Sequence, residues 1–583
     1  MIMTLPASCL QFLRPYTWRC RPLGLRNAKT NAAYLRFFHS ARQQELEQAE
    51  ALKYPRIRHD AGTPMRIPAF RNKFDHVQIG QRADEVVVVR GRVQHIRRAG
   101  SKLVFFELRS EFERVQGMCN LRILEEAEGV TRDDLKAFAR RVNRGDIVSV
   151  VGRAVRSESG ELTIEATRTP EVISPALVPM PFKLADEQAR IQHRHIDMLV
   201  NRRTMDTLRM RSALIKYVRD FFHDRDFLEF QTPILTEKAS GAVARPFVTV
   251  PTESLSSKEV ALRIAPELWL KRLVVGGVDK VFELGPAFRN EGIDQTHNPE
   301  FTMCEFYSAY SNLDDLIKLT EEFLSGMAAH CQALITDKLV SLPKIRLENY
   351  TRPFKQMEFI PSLETALQCK LPDLTSESAK DELIKLLQAK GGKFVVPNAD
   401  QLTLPALLDR LASTYIEPHS RDAPLFITHH PVCMSPLAKS FVCPKTGQAV
   451  SARAEFFVEG KELANMYEEE NDPAAQRAKF TEQARRHHDP ETAAVGGRTL
   501  PDGEVEIDES YCHALESALP PTGGWGCGIE RLVMLFASTR RISDVLPFGN
   551  LRHVVGVTHA RGHVTPASDK EGGAGEKEDD IEA

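Results

Sequence analysis

Between Glu85 and Ile164, apolar and polar positions alternate in short runs separated by turns. Val86–Val89, Leu103–Leu108, Ile147–Val151 and Leu162–Ile164 read as strands, because period-two patterning rich in β-branched residues suits a half-buried pleated surface. One stretch, Thr131 to Val142, has helical spacing and falls between strands. The pattern predicts a small β-barrel over 81–180, ended by three prolines between Pro175 and Pro181. A hinge over 181–204 follows. From Met205 to Asp224, Leu208, Leu214, Ile215, Val218, Phe221 and Phe222 form one face of an amphipathic helix. A short strand, Phe227–Phe230, leads to Thr232-Pro233. Residues 205–562 predict an α+β body with a mostly helical insertion near 349–424.

Composition alters this picture only at the ends. The 583 residues exceed one domain's worth, and 42% apolar with 27% charged residues is an ordinary globular balance. A net charge of −2 gives no global basic field, so an RNA partner would need a local basic patch. No apolar run reaches the length of a membrane span. The ten cysteines include no CxxC pair, and the Cys433 to Cys443 spacing fits no standard zinc template, so reduced thiols are expected. Residues 1–42 contain no acid but hold Arg14, Arg19, Arg21, Arg26, Lys29, Arg36 and Arg42 among leucines and aromatics. That profile is the one of a mitochondrial transit peptide, with a basic RNA-binding tail as the alternative. An N-terminal extension is expected over 43–80 and a disordered, solvated tail over 563–583.

Three segments carry chemistry. Phe288-Arg289-Asn290-Glu291 with His297-Asn298-Pro299-Glu300-Phe301 is a polar loop between apolar strands. A guanidinium there can grip phosphate or carboxylate with two parallel hydrogen bonds, and Phe301 can lie flat on a purine. A salt-bridged surface hairpin is the other reading. The second segment, Gly524-Trp525-Gly526-Cys527-Gly528, reads as a glycine-rich loop before a helix that begins near Gly528 and carries Arg531 in its first turn. Its spacing is not that of a dinucleotide fingerprint. The third is acidic. Glu455 and Glu462 lie seven residues apart in a strand–turn region and suit Mg²⁺ on phosphates, or else a solvated surface.

In this order the segments resemble the class II aminoacyl-tRNA synthetases. The helix and strand ending at Pro233 are similar to motif 1, the hairpin at Arg289 to motif 2, and the stretch to Arg531 to motif 3. A five-stranded OB-fold barrel ahead of them is similar to the lysyl, aspartyl and asparaginyl branch. Ser240–Phe247, Arg263–Leu268, His430-Pro431 and Met434–Ala438 resemble the lysyl members. The resemblance implies an N-terminal OB-fold β-barrel followed by a class II catalytic domain, an antiparallel sheet flanked by helices. It implies ATP, L-lysine and tRNA(Lys) as partners, Mg²⁺ as cofactor, a homodimer, and no membrane. Other readings are an aspartyl or asparaginyl enzyme, or an inactive RNA-binding paralogue. A mitochondrial matrix address would follow from residues 1–42.

Roles follow from the same resemblance. Arg289 and Arg531 would be catalytic. ATP would meet Arg289, Glu291, His297, Asn298, Phe301, Glu455 and Arg531, with adenine between Phe301 and Arg531 and Mg²⁺ on Glu455 and Glu462. Lysine's α-amino end would meet Gly241 and Glu267, and its carboxylate Arg289. Glu305, Tyr307 and Glu469 would hold the ε-ammonium, beside Asn465 and Tyr467. A cationic side chain demands such carboxylates, and a neutral one would leave them unpaired. Phe105, Arg92 and Glu161 would read the anticodon, Phe105 by stacking unless it lies in the barrel core. Glu468 and Glu470 depart from the family pattern beside Glu469, as does Gly549.

Overall fold

A computed structural model describes residues 54–57, 62–178, 180–237, 244–251, 259–391, 396, 398–486 and 507–555. Residues 1–42 and 563–583, and Gly241, lie outside the described residues. The chain divides into two compact units at Lys183/Leu184.

The first unit is a seven-stranded sheet, ordered β1 (Thr63–Met65), β2 (Arg82–Ala99), β3 (Leu103–Ser110), β4 (Glu113–Asn120), β6 (Leu162–Ala166), β5 (Ile147–Arg156) and β7 (Glu171–Ser174). A further β2–β5 pairing closes it into a barrel. Side chains alternate across each strand, so Val104, Phe106 and Leu108 fill the barrel while Phe105 turns outward. The sequence suggested one inserted helix; two are present, Leu121–Glu128 and Arg132–Arg141. Thr131 and Asp134 form a reciprocal capping box at the start of the second. The stretch before the barrel is also structured. β1 runs parallel to β2, and the helix Ile67–Phe74 buries Ile67, Phe70 and Phe74 against the barrel core. Gly117 leaves room for the Phe106 ring, which a Cβ would strike. Gly117→Ala should therefore lower barrel stability by about 1–3 kcal/mol, read as a lowered denaturant midpoint with the m-value unchanged.

The second unit is built on an eight-stranded sheet. Its order is β14 (Lys355–Glu358), β15 (Leu425–Thr428), β18 (Arg453–Val458), β19 (Lys461–Glu468), β20 (Thr522–Gly528), β13 (Glu300–Ala309), β12 (Lys280–Phe288) and β8 (Leu228–Glu229). The pairs are antiparallel except at the two edges, β14–β15 and β12–β8. Short strands β9 (Leu235–Thr236), β10 (Val248–Thr249) and β11 (Val260–Leu262) form a separate sheet, and β16 (Ser440–Val442) pairs with β17 (Ala449–Ser451).

Register gives the large sheet two different faces. Phe282, Phe306, Trp525, Met466 and Ala454 line up across five strands and belong to the main apolar core. The helices Arg202–His223 and Leu313–Asp337 bury their apolar stripes in that same core. One residue along, the opposite face presents Glu283, Glu305, Gly526, Asn465 and Glu455 in one row. The next such row is Val281, Tyr307, Gly524, Tyr467 and Arg453. The fold class is thus α+β, with a barrel and an antiparallel sheet flanked by helices. The glycine-rich segment is not a loop, as its composition suggested. It is central strand β20, whose glycines fall on one face while Trp525 and Cys527 fall on the other. Period-two alternation was present there, hidden because glycine has no side chain to mark it.

The insertion begins with edge strand β14 and continues through helices Phe359–Leu367, Ala379–Lys390 and Leu404–Tyr415, which share an apolar cluster with β15. Among the described residues no helix is long and apolar enough to cross a membrane.

Candidate active site

Helix Glu267–Val275 lies over the polar face of the sheet and turns Glu267 and Lys271 toward it, one helical turn apart. Lys271 is fully buried, and its Nζ donates to Glu267 Oε1 at 2.6 Å and forms an ion pair with Glu469. The Tyr467 hydroxyl donates to the same Glu267 oxygen at 2.7 Å. Glu305 and Tyr307 point the same way from β13, two residues apart, with the tyrosine hydroxyl 3.5 Å from Glu305 Oε2. Three carboxylates, Glu267, Glu305 and Glu469, are therefore gathered in one buried pocket. Burial, reinforced by the charge of Glu267, pushes Glu305 up to about 8 despite the opposing pull of Arg289 and Lys271. Burial likewise raises Glu469, against the influence of Lys271. Burial and the surrounding carboxylates keep the Tyr307 and Tyr467 phenols protonated.

The structure distinguishes Glu469 from its neighbours. Glu468 accepts from the Leu313 amide at 3.1 Å, and Glu470 pairs with Lys479 at 2.5 Å. Only Glu469 of the three joins this pocket. Its carboxylate rests against Gly524, where a Cβ would collide with it and with the Tyr307 ring. Glycine at that point in β20 makes room for the acid.

Beside this pocket the β12–β13 hairpin carries the polar residues singled out in the sequence. The Arg289 guanidinium lies over the Phe301 ring, 5.2 Å from its centroid, and Nε donates weakly to the Ile264 carbonyl at 3.4 Å. Desolvation lowers Arg289 from its usual value, opposed by Glu305, Glu291 and Glu462. Arg531 opens the helix Ile529–Phe536, donating to the Glu462 carbonyl at 2.8 Å and lying 3.3 Å from its carboxylate. Its other amino group is 3.2 Å from His297 Nε2, while His297 Nδ1 is 2.8 Å from Asp294. Arg289, Arg531, His297 and Phe301 therefore border one region. Glu291 is exposed on the loop between β12 and β13. Asn298 is engaged by the protein, donating to the Glu300 carbonyl at 2.6 Å and accepting from the Leu551 amide at 3.0 Å.

Glu455 and Glu462 sit on the β18–β19 hairpin, whose register slips at Phe456/Phe457. Burial would raise Glu455, but Arg453 at 2.6 Å and His430 at 3.2 Å hold it at about 2. Desolvation and the charge of Glu455 push Glu462 up, although Arg531 opposes them. Two carboxylates that repel each other beside a pair of arginines suit a divalent cation carrying phosphate oxygens. Among the described residues no group of three or more His, Cys, Asp or Glu side chains could enclose a metal alone. A hard cation here would need oxygens from its nucleotide as well.

Two residues that sequence reasoning did not single out complete the site. Arg453 spans Glu455, Asn465 (3.0 Å) and the Met434 carbonyl (2.7 Å), fastening the Met434–Ala438 loop to the sheet. It stands two residues before Glu455, so strand periodicity would have put both on one face. Lys271 stands four residues after Glu267, the helical spacing of a Glu–Lys pair.

In the barrel unit Phe105 is half-buried on the outer surface, with the Arg97 guanidinium 4.8 Å from its ring centroid. It does not belong to the barrel core. Arg92 donates to the Gly145 carbonyl at 2.7 Å, on β2 five residues before Arg97. Glu161 is exposed in the β5–β6 turn, where its backbone amide donates to Ser157 Oγ at 3.1 Å. These residues share the barrel's exterior without converging on one point.

Two family models match the chain: tRNA synthetases class II (D, K and N) over residues 186–552, and an OB-fold nucleic acid binding domain over residues 87–171. The chain is similar to the mitochondrial lysine–tRNA ligase of Schizosaccharomyces pombe, 40% identical over 86% of this chain and 91% of that protein. It is similar to the mitochondrial lysine–tRNA ligase of Saccharomyces cerevisiae, 36% identical over 79% and 81%. A bacterial relative, the lysine–tRNA ligase of Campylobacter jejuni subsp. doylei, is 34% identical over 88% and 97%.

Proposed function

Because the chain belongs to the class II tRNA synthetases, within their lysine–tRNA ligases, we propose that it activates L-lysine with ATP and transfers it to the 3′ end of tRNA(Lys) for mitochondrial translation. The observation that carries the amino-acid choice is the buried cluster of Glu267, Glu305 and Glu469, which only a cationic substrate can satisfy without stranding a charge.

In the first step a carboxylate oxygen of lysine attacks the α-phosphorus of ATP, the bond to the β-phosphate oxygen breaks, and pyrophosphate leaves. Arg289, between the Glu305 pocket and the Arg531 region, bridges the lysine carboxylate and the α-phosphate and neutralises the charge that builds there. Arg531 takes the terminal phosphates, and adenine takes the face of Phe301 that Arg289 occupies in the free protein. Glu455 and Glu462 would hold Mg²⁺, which supplies phosphate charge neutralisation when bound. Glu267 and Gly241 hold the α-amino end, and Glu305, Tyr307 and Glu469 hold the ε-ammonium. In the second step the terminal ribose hydroxyl of tRNA attacks the adenylate carbonyl and AMP leaves.

The barrel reads the anticodon. Phe105→Ala should raise the KM for tRNA in aminoacylation on the order of 10-fold, the worth of one stacked base, with ATP–pyrophosphate exchange unchanged. Equal loss in both assays would remove Phe105 from that role. A homodimer is supported by exposed apolar residues in and just after the segment similar to motif 1: Leu228, Ile234, Leu235, Val248 and Val250. The mitochondrial address is supported by the acid-free, arginine-rich composition of residues 1–42 and by the names of two relatives.

The deciding experiment is ATP–pyrophosphate exchange across the twenty amino acids. Lysine alone should support it strongly, and aspartate-dependent exchange without lysine-dependent exchange would overturn the reading. Sequencing the N-terminus of the protein purified from mitochondria tests the address, which an intact Met1 in a cytosolic protein would overturn.

A further inference from the structure

Lys271 is the unexpected member of the amino-acid pocket. A lysine with no exposed surface is uncommon, and burying an ammonium is costly unless carboxylates surround it. Here Glu267 lies at 2.6 Å and Glu469 is ion-paired on the other side. The rings of Tyr307, Tyr467 and Tyr511 stand 5.6–5.8 Å from Nζ. Those elements, helix Glu267–Val275, β13, β19 with the residue following it, and helix Glu509–Leu515, enclose the ammonium. No other cation lies in direct contact with this cluster among the described residues, and Arg289 faces it from the end of β12.

The charges can be set against one another. Glu267, Glu305 and Glu469 are three potential anions, and Lys271 and Arg289 are two permanent cations. With all three ionised, as binding an ammonium requires, one negative charge is left over. A lysine substrate is zwitterionic at its α-carbon and cationic at its tip, so it brings one net positive charge. Among the described residues, Glu469 Oε1 also lacks any hydrogen-bond donor, although it is wholly buried and lies beside Tyr307. That orphaned oxygen points to a donor that the protein itself does not supply.

We propose that Lys271 is a specificity-determining positioning residue: its buried ammonium ties Glu267 to Glu469 and limits the binding-competent, ionised pocket to a single net negative charge, which one side-chain cation neutralises. The inference rests on the reading that this pocket takes lysine. Without Lys271 the pocket would hold two uncompensated negative charges in a dry environment. One carboxylate would then keep a proton into more alkaline solution, and the substrate ammonium would lose an anionic partner. Burial alone would pull Lys271 below its usual range, yet Glu267 and Glu469 hold it well above.

The test uses the full chain with Lys271→Met and Lys271→Arg, following the lysine KM and the ATP KM in pyrophosphate exchange from pH 6 to 9. K271M should raise the lysine KM at neutral pH by about 10-fold and move the midpoint of its pH profile upward by about one unit, a tenfold change in proton affinity. The ATP KM should stay within about twofold. K271R keeps the cation, so its midpoint should remain at the wild-type position even if crowding raises KM. A raised KM with an unmoved midpoint in K271M would mean that Lys271 only fills space, and would overturn the proposal. If K271M fails to fold, Lys271→Gln removes the same charge and must give the same displacement. Absence of lysine-dependent exchange in the unmodified protein would instead overturn the reading of the pocket itself.

Discussion

Arg289→Ala is expected to lower lysine-dependent ATP–pyrophosphate exchange by about 10²- to 10³-fold, mainly in kcat. The reason is position. Arg289 follows the last residue of β12, with its guanidinium over Phe301 and its charge felt by Glu305, Glu291 and Glu462. Its charge is coupled to Glu305 in the carboxylate pocket and to Glu462 and Arg531 beyond it. Charge on the α-phosphate grows only as the new bond forms, so an interaction with it appears in kcat more than in binding. Arg289→Lys should recover only part of the loss, because an ammonium cannot bridge two oxygen groups with a planar fork. A variant whose lysine KM rises while kcat holds would show Arg289 to be a ground-state binder alone.

The second large effect belongs to Glu305. Glu305→Gln should raise the lysine KM by about 10²- to 10³-fold, the range for removing one partner of a buried ion pair. The same residue predicts a pH dependence whose sign can be worked out. Burial, with the charge of Glu267, holds Glu305 up to about 8, so at neutral pH it is mostly protonated. Binding an ε-ammonium requires its anion. The lysine KM should therefore fall as pH rises toward 8, by up to tenfold per unit, and level off above it. Below pH 7 binding should weaken steadily. Glu305→Gln is neutral at every pH and should flatten this profile. An unaltered slope in the variant would assign the proton to another group.

The architecture was legible where side chains repeat. The barrel strands and the amphipathic helix ending at His223 follow from period-two and period-3.6 spacing of Val, Ile, Leu and Phe. What failed to show was signalled by missing or misleading side chains. β20 alternates glycine with Trp525 and Cys527, so half of its pattern has no hydropathy to read. The helix Ile67–Phe74 begins with Pro68 near its start and is too short to display a stripe. At the site, Arg289 and Arg531 stood out beside a polar hairpin and a glycine run, whereas Glu305 and Glu469 were singled out only through the family resemblance. Lys271 and Arg453 were overlooked because a charged residue in a helix or strand reads by default as a solvated one. For Lys271 the enclosing partner Glu469 lies about two hundred residues away, and no local window contains it.

The bare face of β20 has a consequence for altering what this site accepts. Where Gly524 and Gly526 lie, the floor offers only peptide groups, whose direction is fixed by hydrogen bonding to β13 and β19 on either side. A floor of that kind is indifferent to the identity of the guest. On the proposed reading, discrimination falls to the walls, Glu267, Glu305, Tyr307, Tyr467 and Glu469, with Lys271 behind them. An engineer seeking a different amino acid could redraw those six positions as a set and leave the strand untouched. A side chain at Gly524 would instead strike the Glu469 carboxylate and the Tyr307 ring, and so unseat two of the walls.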